Sequence, residues 1–406
     1  MDRSEIDIRL LFAARVTRLF CFGALSVVLA LYLAETGLSA EQIGLLLTLT
    51  LIGDAAISFW MTTSADRSGR RGTLVLGAML MLVAGGVLAF TSDPFLLFAA
   101  AIIGVVSPSG NEIGPFLSIE QAALSQLAGD RHRTKVFAWY NLAGSIAVAA
   151  GSLGGGWTAA ALRQYGFSSL EAYRMILAGY AAGGAILALL FRSLSAGIEP
   201  VTTTATAGHA FGLHGSKSLV LKLSALFMLD AFAGGFVMQS IVAYWFHLRF
   251  GIDEAGLGGI FFGANILAGV SALLAARIAS RFGLINTMVF THIPSNILLC
   301  LVPLMPDSFT AIGVFLLRFS ISQMDVPTRQ SYTMAVVAPD ERSAASGVTS
   351  IARSLGAMPS PWLSGLFLAS SFLRSIPFFL AGGLKIVYDL LLYFNFRKLR
   401  TPEEKP

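Results

Sequence analysis

The chain of 406 residues is 55% hydrophobic and 13% charged, and its mean hydropathy is +0.72. Because a soluble domain carries about a quarter charged residues, this composition predicts an integral membrane protein and excludes a large soluble domain. The net charge of +5 does not indicate a nucleic-acid partner, because no basic patch with interleaved aromatic residues accompanies it.

Twelve apolar segments follow one another along the chain, each near the length of roughly 20 residues that crosses a hydrocarbon core. They lie near residues 8–33, 41–63, 73–91, 94–122, 136–161, 172–192, 218–248, 256–278, 284–304, 308–337, 343–367 and 372–396. The first is expected to remain as a membrane span and not to be a signal peptide, because Arg15 and Arg18 interrupt it and no small-residue cleavage site follows.

Basic residues indicate the orientation, because they concentrate in cytoplasmic connections. With the N-terminus inside, the inner connections and the tail hold Arg67, Arg70, Arg71, Arg131, Arg133, Lys135, Arg192, Lys217, Arg281, Arg342, Arg397, Lys398, Arg400 and Lys405. The outer connections hold Arg163, Arg174, Arg249 and Arg374. We therefore expect a multi-pass protein of the cell membrane with both termini in the cytoplasm.

A polar stretch at 193–218, SLSAGIEPVTTTATAGHAFGLHGSKS, separates six spans from six. Its Gly, Ser and Thr content is typical of a flexible linker. A shift of 214 residues superposes the two halves at Phe22 and Phe236, Gly37 and Gly251, Gly44 and Gly258, Arg67 and Arg281, Gly69 and Gly283, and Asp93 and Asp307. The predicted organisation is an N-terminal six-helix bundle at 1–192, a cytoplasmic linker at 193–217 and a C-terminal six-helix bundle at 218–406.

The connection between spans two and three, TTSADRSGRR at 62–71, is the most specific motif of the chain. It resembles the signature of the major facilitator superfamily, although Thr62 stands where that family usually has glycine. The matching residues are Asp66, Arg67, Gly69, Arg70 and Arg71. The second-half copy, ARIASRFG at 276–283, is degenerate, with Ser280 in place of the acid. The resemblance implies an all-α membrane fold of twelve transmembrane helices in two pseudo-symmetric six-helix bundles, and it identifies no subfamily.

Two interpretations of this motif are open. Asp66 lies at the inner end of span two, where it can meet the positive end of a helix such as span eleven, which begins near Ser343. The resemblance implies that this contact bridges the two halves and breaks when the transporter opens inward. Alternatively the loop only anchors the topology, which suits Arg70 and Arg71 best.

Ionisable residues inside the spans are functional-site candidates, because a buried charge in a membrane needs a partner or a water-filled cavity. They are Arg15, Arg18, Asp54, Glu112, Glu120, Asp230, Arg318, Asp325, Arg329, Arg353, Lys385 and Asp389. The resemblance implies that spans one, four, seven and ten line a central cavity, and eight of these twelve residues fall on those spans.

Spacing suggests some of the partners. Asp325 and Arg329 lie four residues apart and are predicted to pair, and Lys385 and Asp389 receive the same interpretation. Arg318 has no acid within a turn, so Asp230 is either its partner across the cavity or a group that binds protons.

Span four contains the sequence SPSGNEIGPFLSIEQAAL, in which prolines and glycines predict a broken helix. A shift of 212 residues places Pro115 on Pro327 of span ten, and broken helices mark binding regions in transporters. Glu112 and Asp54 are candidates for proton binding. Glu120 lies on the same face as Glu112, and Arg18 could form a fixed bridge with either of them.

A carrier is the predicted function. The five histidines form no catalytic constellation, no phosphate-cradling loop of an ATP-driven pump occurs, and a receptor would need soluble domains. We expect a monomeric secondary active transporter for a small organic solute, with protons and the bilayer as partners and without enzyme activity, cofactor or metal. Proton-coupled efflux is expected first, although span four lacks the arginine typical of drug antiporters. Proton-coupled uptake or uniport of an organic anion or sugar is the alternative.

Overall fold

The computed structural model of the chain describes residues 3–111, 116–200, 215–338 and 341–397, without the side chains of residues 66, 67, 129–135 and 343. Throughout these ranges the regular structure is helical and no strand occurs, which confirms the predicted all-α class. Contacts divide the chain into two compact units. The first comprises Met1–Thr204 and Gln239–Phe262, and the second comprises Ala205–Met238 and Gly263–Pro406.

Fifteen α-helices lie in the described ranges. They are α1 (Arg3–Glu35), α2 (Ala40–Ser68), α3 (Arg70–Phe90), α4 (Pro94–Ile103), α5 (Phe116–Gln164), α6 (Ser169–Arg192), α7 (Lys217–Gly235), α8 (Gln239–Phe250), α9 (Glu254–Phe282), α10 (Leu284–Leu301), α11 (Ser308–Ser322), α12 (Asp325–Val336), α13 (Arg342–Ala357), α14 (Ser360–Leu368) and α15 (Ile376–Phe396). Two short 3-10 helices occur at Ala196–Ile198 and Val302–Leu304.

Ten helical segments of the described chain are long and apolar enough to cross a membrane. The other two predicted spans, the fourth and the eleventh, are each divided. The fourth begins as the ten-residue helix α4 and continues irregularly from Gly104 to residue 111. The eleventh consists of α13 and α14, which are separated near Pro359, where proline lacks the N–H of a helical hydrogen bond and its ring crowds the carbonyl four residues before it.

The break between α7 and α8 lies beside the break between α13 and α14. A Cβ atom on Gly235 would lie 2.8 Å from the carbonyl oxygen of Ala357, so only glycine allows this approach. The Ser360 hydroxyl donates to the carbonyl of Phe232 at 2.5 Å. Hydroxyl groups of this kind satisfy the backbone groups that an interrupted membrane helix leaves free.

Helix α5 is longer than any single predicted span. It contains 49 residues, which correspond to about 74 Å at the rise of an ideal α-helix. The inner connection that the sequence places between spans four and five is therefore itself helical. No proline lies between residues 116 and 164 to interrupt it.

The internal repeat recurs in the local backbone structure. Gly69 and its counterpart Gly283 have φ values of +92° and +83°, a region that favours glycine. Asp93 and its counterpart Asp307 both cap the helix that follows them, because their carboxylates accept backbone N–H groups at 3.1 and 2.9 Å. The same turn and the same cap thus occupy matching positions in the two halves of the sequence.

Glycines allow close packing between α1 and α5. A Cβ atom on Gly151 would overlap the carbonyl oxygen of Phe20, and one on Gly155 would lie 2.7 Å from Ala24. The glycine series of span five therefore serves helix packing, as small residues commonly do in membranes.

Candidate functional site

The first unit contains a fully buried ion pair between α1 and α5. Both terminal nitrogens of Arg18 donate to the carboxylate oxygens of Glu120 at 2.7 Å, and neither side chain is exposed. The Tyr140 hydroxyl donates to the same carboxylate. The Arg18 guanidinium also lies 4.5 Å from the centre of the Phe116 ring. This bidentate geometry satisfies both charges and matches the fixed bridge that the sequence left as one alternative for Glu120.

Asp54 lies at a close contact between α2 and α4. Its side chain is half-buried, and a Cβ atom on the preceding Gly53 would overlap the carbonyl oxygen of Ile102. Proton binding by Asp54 stays a prediction.

A group of uncharged polar side chains surrounds the irregular part of span four in the first unit. The Gln239 amide donates to the hydroxyls of Ser26 and Ser152 at 2.8 and 3.1 Å. The Ser240 hydroxyl donates to the carbonyl oxygens of Pro108 and Ser26 at 2.6 and 3.0 Å. These bonds stabilise non-helical backbone inside an apolar protein.

The second unit gathers three basic side chains around one carboxylate. Asp230 of α7 accepts from Arg329 of α12 at 2.9 Å and from Arg353 of α13 at 3.0 Å, both at Oδ2. Lys385 of α15 donates to Oδ1. The proposed pairing of Asp230 with Arg318 is therefore wrong, because both carboxylate oxygens are bonded to other cations.

Asp325 and Arg329 pair at 3.0 Å, as their spacing predicts. The pair is not self-contained, because Arg329 also binds Asp230. Arg318 is buried on α11, and its Nε atom has no hydrogen-bond partner among the residues that the structure describes. The Arg318 guanidinium lies 4.9 Å from the centre of the Phe319 ring. Arg318 thus remains a buried cation without a bonded acid in the described chain.

The carboxylate of Asp389, which was predicted to pair with Lys385, binds a histidine and an asparagine of α10. Asp389 Oδ1 lies 2.8 Å from His292 Nδ1, and Asp389 Oδ2 accepts from the Asn296 amide at 3.1 Å. The predicted Lys385–Asp389 pair is wrong. Helix α15 packs against both α7 and α10, and the two side chains bind neighbours on different helices.

The turn between α2 and α3 is attached to the chain that follows α6. The Glu199 carboxylate accepts from the backbone N–H groups of Arg70 and Arg71 at 2.7 and 3.2 Å. It thereby satisfies free donors at the positive end of α3, directly after Gly69. The Arg70 and Arg71 side chains donate to backbone carbonyls shortly before Glu199, at 3.1 and 3.2 Å.

Several predicted site residues lie outside the described structure. Glu112 and Pro115 belong to this group, as do the side chains of Asp66 and Arg67. The contact of Asp66 with span eleven therefore stays a prediction. Pro327 lies in the first turn of α12, where its missing N–H has no helical partner to lose.

Comparison with known proteins agrees with this architecture. The sequence matches the profile of the Major Facilitator Superfamily over residues 11–361. The chain belongs to the major facilitator superfamily. It is 29% identical to the uncharacterized membrane protein YJR124C of Saccharomyces cerevisiae, over 95% of this chain and 93% of that protein. It is also 23% identical to the multidrug efflux protein YfmO of Bacillus subtilis, over 93% of this chain and 89% of that protein.

A solved structure shows the same fold. A mutant of the nucleoside transporter NupG has a TM-score of 0.78 at 15% identity, and the match covers 96% of this chain and 100% of that chain. The major facilitator fold predicted from the signature at 62–71 is thus confirmed. The chain is a multi-pass membrane protein of a transporter family. Within the described part of the chain, no group of three potential metal ligands comes together.

Three polar residues that make contacts in this protein were not predicted from the sequence: His292, Asn296 and Glu199. His292 and Asn296 lie four residues apart on one face of α10, a spacing that could have indicated a shared partner. Glu199 lies in the polar stretch interpreted as linker, where no local pattern marks a contact with the distant turn at Gly69.

Proposed function

We propose that the chain is a monomeric secondary active transporter that moves a small organic anion together with a proton. The observation that carries this proposal is an excess of positive charge within the membrane helices of the second unit. Among the buried and half-buried side chains of helices α7 and α10–α15, the acids are Asp230, Asp325 and Asp389, and the bases are Arg318, Arg329, Arg353 and Lys385. The buried Glu341 lies just before α13, outside these helices, and accepts the backbone N–H groups of Gly215 and Ser216. Four positive and three negative charges leave one cation of this set without a counterion. An anionic substrate would neutralise that charge, which is costly inside a membrane.

Arg353 is the side chain that an entering anion would meet. It is 37% exposed, whereas Arg329 and Lys385 are 7% and 11% exposed. Arg329 and Lys385 hold Asp230 without it, so Arg353 can turn to a substrate carboxylate or phosphate while Asp230 stays neutralised. Arg318, with its unbonded Nε atom, offers a second donor. Guanidinium groups suit this task because they bind such oxyanions in a fork-like geometry.

The sign of the charge determines how proton and substrate are linked. A proton that binds in this unit adds positive charge and so strengthens the binding of an anion. By reciprocity the anion strengthens the binding of the proton, and the two would cross the membrane in the same direction. Asp54 and Glu112 are proposed as further proton-binding groups of the first half.

Alternating access would supply the movement. We propose that the bundles at 1–192 and 218–406, joined by the linker at 193–217, expose the site to one side of the membrane at a time. The protein would lie in the cell membrane with both termini in the cytoplasm. Asp66 would help to hold the inner side closed, so Asp66→Asn is expected to increase the labelling of inner-side cysteine probes. Unchanged labelling on both sides would contradict this role.

Efflux is the second candidate. The observation that favours it is the similarity to the multidrug efflux protein of Bacillus subtilis, at 23% identity. In an efflux exchanger the proton and the substrate compete for one group and cross in opposite directions. Binding of a proton would then weaken the binding of the substrate, whereas in cotransport it strengthens it.

A proteoliposome experiment distinguishes the two candidates. The purified protein is reconstituted with a pH-sensitive dye in the lumen, and organic anions, zwitterions, sugars and cationic drugs are added outside. Anion–proton cotransport predicts that an anion acidifies the lumen, and that Arg353→Gln weakens this response. Alkalinisation of the lumen would favour the exchanger. If wild type transported no labelled anion at all, the proposal would be abandoned.

A further inference from the structure

A buried histidine–aspartate pair lies next to the charge cluster of the second unit. His292 of α10 and Asp389 of α15 are 3% and 0% exposed. The His292 Nδ1 atom lies 2.8 Å from Asp389 Oδ1, and the Asn296 amide occupies the other carboxylate oxygen at 3.1 Å. The imidazole therefore faces the carboxylate directly, and only the tautomer with hydrogen on Nδ1 can donate to it while neutral.

This carboxylate differs from Asp230 and Asp325, the other buried acids on the described helices α7 and α10–α15. Asp230 and Asp325 each accept from at least one arginine, and an arginine does not lose its proton in a protein. The donors that the structure gives to Asp389 are an imidazole and an amide. Since histidine is the side chain that most readily changes charge at physiological pH, the environment of Asp389 can alternate between neutral and cationic.

Lys385 connects this pair to the cluster. It lies one helical turn before Asp389 on α15, and its ammonium group donates to Asp230. His292 is also close enough to interact electrostatically with Asp230. Lys385 thus lies between Asp389, which His292 contacts, and Asp230, which Arg353 also binds.

The other ionisable groups around His292 come from the helices that pack on α10. Helix α15 contributes Tyr388, whose ring centre lies 6.1 Å from that of His292, besides Lys385 and Asp389. Helix α12 contributes Asp325 and Arg329, and the single charged residue of α11 is Arg318. An arginine does not lose its proton in a protein, so Arg318 and Arg329 are fixed positive charges of this set.

We propose that the His292–Asp389 pair carries the coupled proton and that Lys385 transmits its charge to the anion-binding cluster. This inference rests on the proposed function and names its proton site. With neutral His292, Lys385 is attracted by both Asp389 and Asp230. A proton taken up at Nε2 converts the imidazole to imidazolium, which then pairs with Asp389. Lys385 is left to neutralise Asp230 alone, and the interior charge increases by one unit.

The consequence for the substrate follows from the same charges. Asp230 needs Arg353 less when Lys385 is directed at it alone, so Arg353 becomes available to the anion. Return of the proton from Nε2 to water reverses these steps. The rival account is that the pair only fastens α10 to α15 by a buried hydrogen bond, in which case its protonation state would not affect substrate binding.

The test compares His292→Gln with a matched histidine variant. His247 lies in the first unit, where its Nδ1 atom contacts the carbonyl of Ile252 at 2.9 Å, and His247→Gln is the control. Two quantities are measured in proteoliposomes with a labelled organic anion: exchange at equal pH on both sides, and accumulation driven by an inward proton gradient. The half-saturating anion concentration is recorded between about pH 5.5 and 8, the range in which imidazole titrates.

The expected results separate coupling from transport. Wild type and His247→Gln should exchange the anion, accumulate it, and lose affinity about tenfold as the pH rises. His292→Gln should still exchange the anion, but with an affinity independent of pH and without accumulation. If His292→Gln accumulates the anion like wild type, the pair is not the proton site although transport stands. If wild type exchanges no anion, the proposed function itself fails.

A second variant tests the same assignment if His292→Gln does not fold. Asn296→Leu keeps the histidine–aspartate contact and removes one neutral donor from Asp389. Exchange should persist, while the midpoint of the pH dependence should move to higher pH, because a carboxylate with fewer donors favours the imidazolium form. A midpoint identical to that of wild type would overturn the assignment.

Discussion

The buried pair of Arg18 and Glu120 offers the sharpest prediction about the fold. Glu120→Gln removes the negative charge while nearly preserving the shape of the side chain. An amide presents only one oxygen, so one of the two hydrogen bonds at 2.7 Å is lost. The Arg18 guanidinium is fully buried, and it would then face the N–H₂ group of the glutamine in place of a carboxylate oxygen.

The magnitude follows from the burial of both partners. Removing one partner of a buried pair typically costs about 3–5 kcal/mol, because the remaining charge has no counterion. At roughly 2–4 °C per kcal/mol for a domain of about 200 residues, the melting temperature should fall by roughly 10 °C. Replacing both partners by apolar residues, Arg18→Met with Glu120→Leu, should recover most of this loss.

The assay is thermal unfolding of the detergent-solubilised protein, followed by intrinsic fluorescence. Glu41→Gln serves as the control, because Glu41 is exposed in the first turn of α2. The double variant should also retain anion exchange, since the pair acts through structure. A single variant as stable as wild type would contradict this prediction, and so would a double variant no more stable than the single one.

Three further predictions concern other parts of the chain. Asp230→Asn leaves three cations around a neutral amide, so it should lower the unfolding temperature by an amount similar to Glu120→Gln; an unchanged value would contradict the cluster. Glu199→Gln weakens the cap on α3, which should cost about 0.5–2 kcal/mol and speed hydrogen exchange at residues 70 and 71; unaltered exchange rates would speak against it. Gly151→Val should prevent close packing on α1 because a Cβ atom there overlaps the carbonyl oxygen of Phe20, whereas Gly179→Ala has no atom within 4 Å to displace. Equal yields of folded protein for Gly151→Val and Gly179→Ala would contradict this prediction.

Local rules predicted the parts of the structure that depend on neighbouring residues. The apolar segments, the interruption of span four and the turn at Gly69 follow from hydropathy and backbone chemistry. Asp325 and Arg329 pair as their four-residue spacing requires. Arg18 and Glu120 could be suggested as partners because an interior charge needs a counterion.

The same rules failed where a side chain had a better partner on another helix. Lys385 and Asp389 have a favourable spacing, yet Lys385 binds Asp230 and Asp389 binds His292. Spacing along one helix contains no information about which neighbouring helix faces each residue. The contact by which Glu199 caps α3 joins residues that lie 129 positions apart in the sequence. A rule based on local spacing therefore could not predict it.

Counterflow of a labelled organic anion in proteoliposomes tests the central claim that the cation excess of the second unit binds the substrate. Wild type is compared with Arg353→Gln and with Arg374→Gln, a control arginine whose Nε donates to the carbonyl of Leu368. Arg353→Gln should raise the half-saturating anion concentration about tenfold or more, because a hydrogen bond to a charged group contributes about 1.5–3 kcal/mol. Arg374→Gln should behave like wild type. Equal half-saturating concentrations in all three proteins, or counterflow of a neutral sugar in place of the anion, would contradict a role of Arg353 in anion binding.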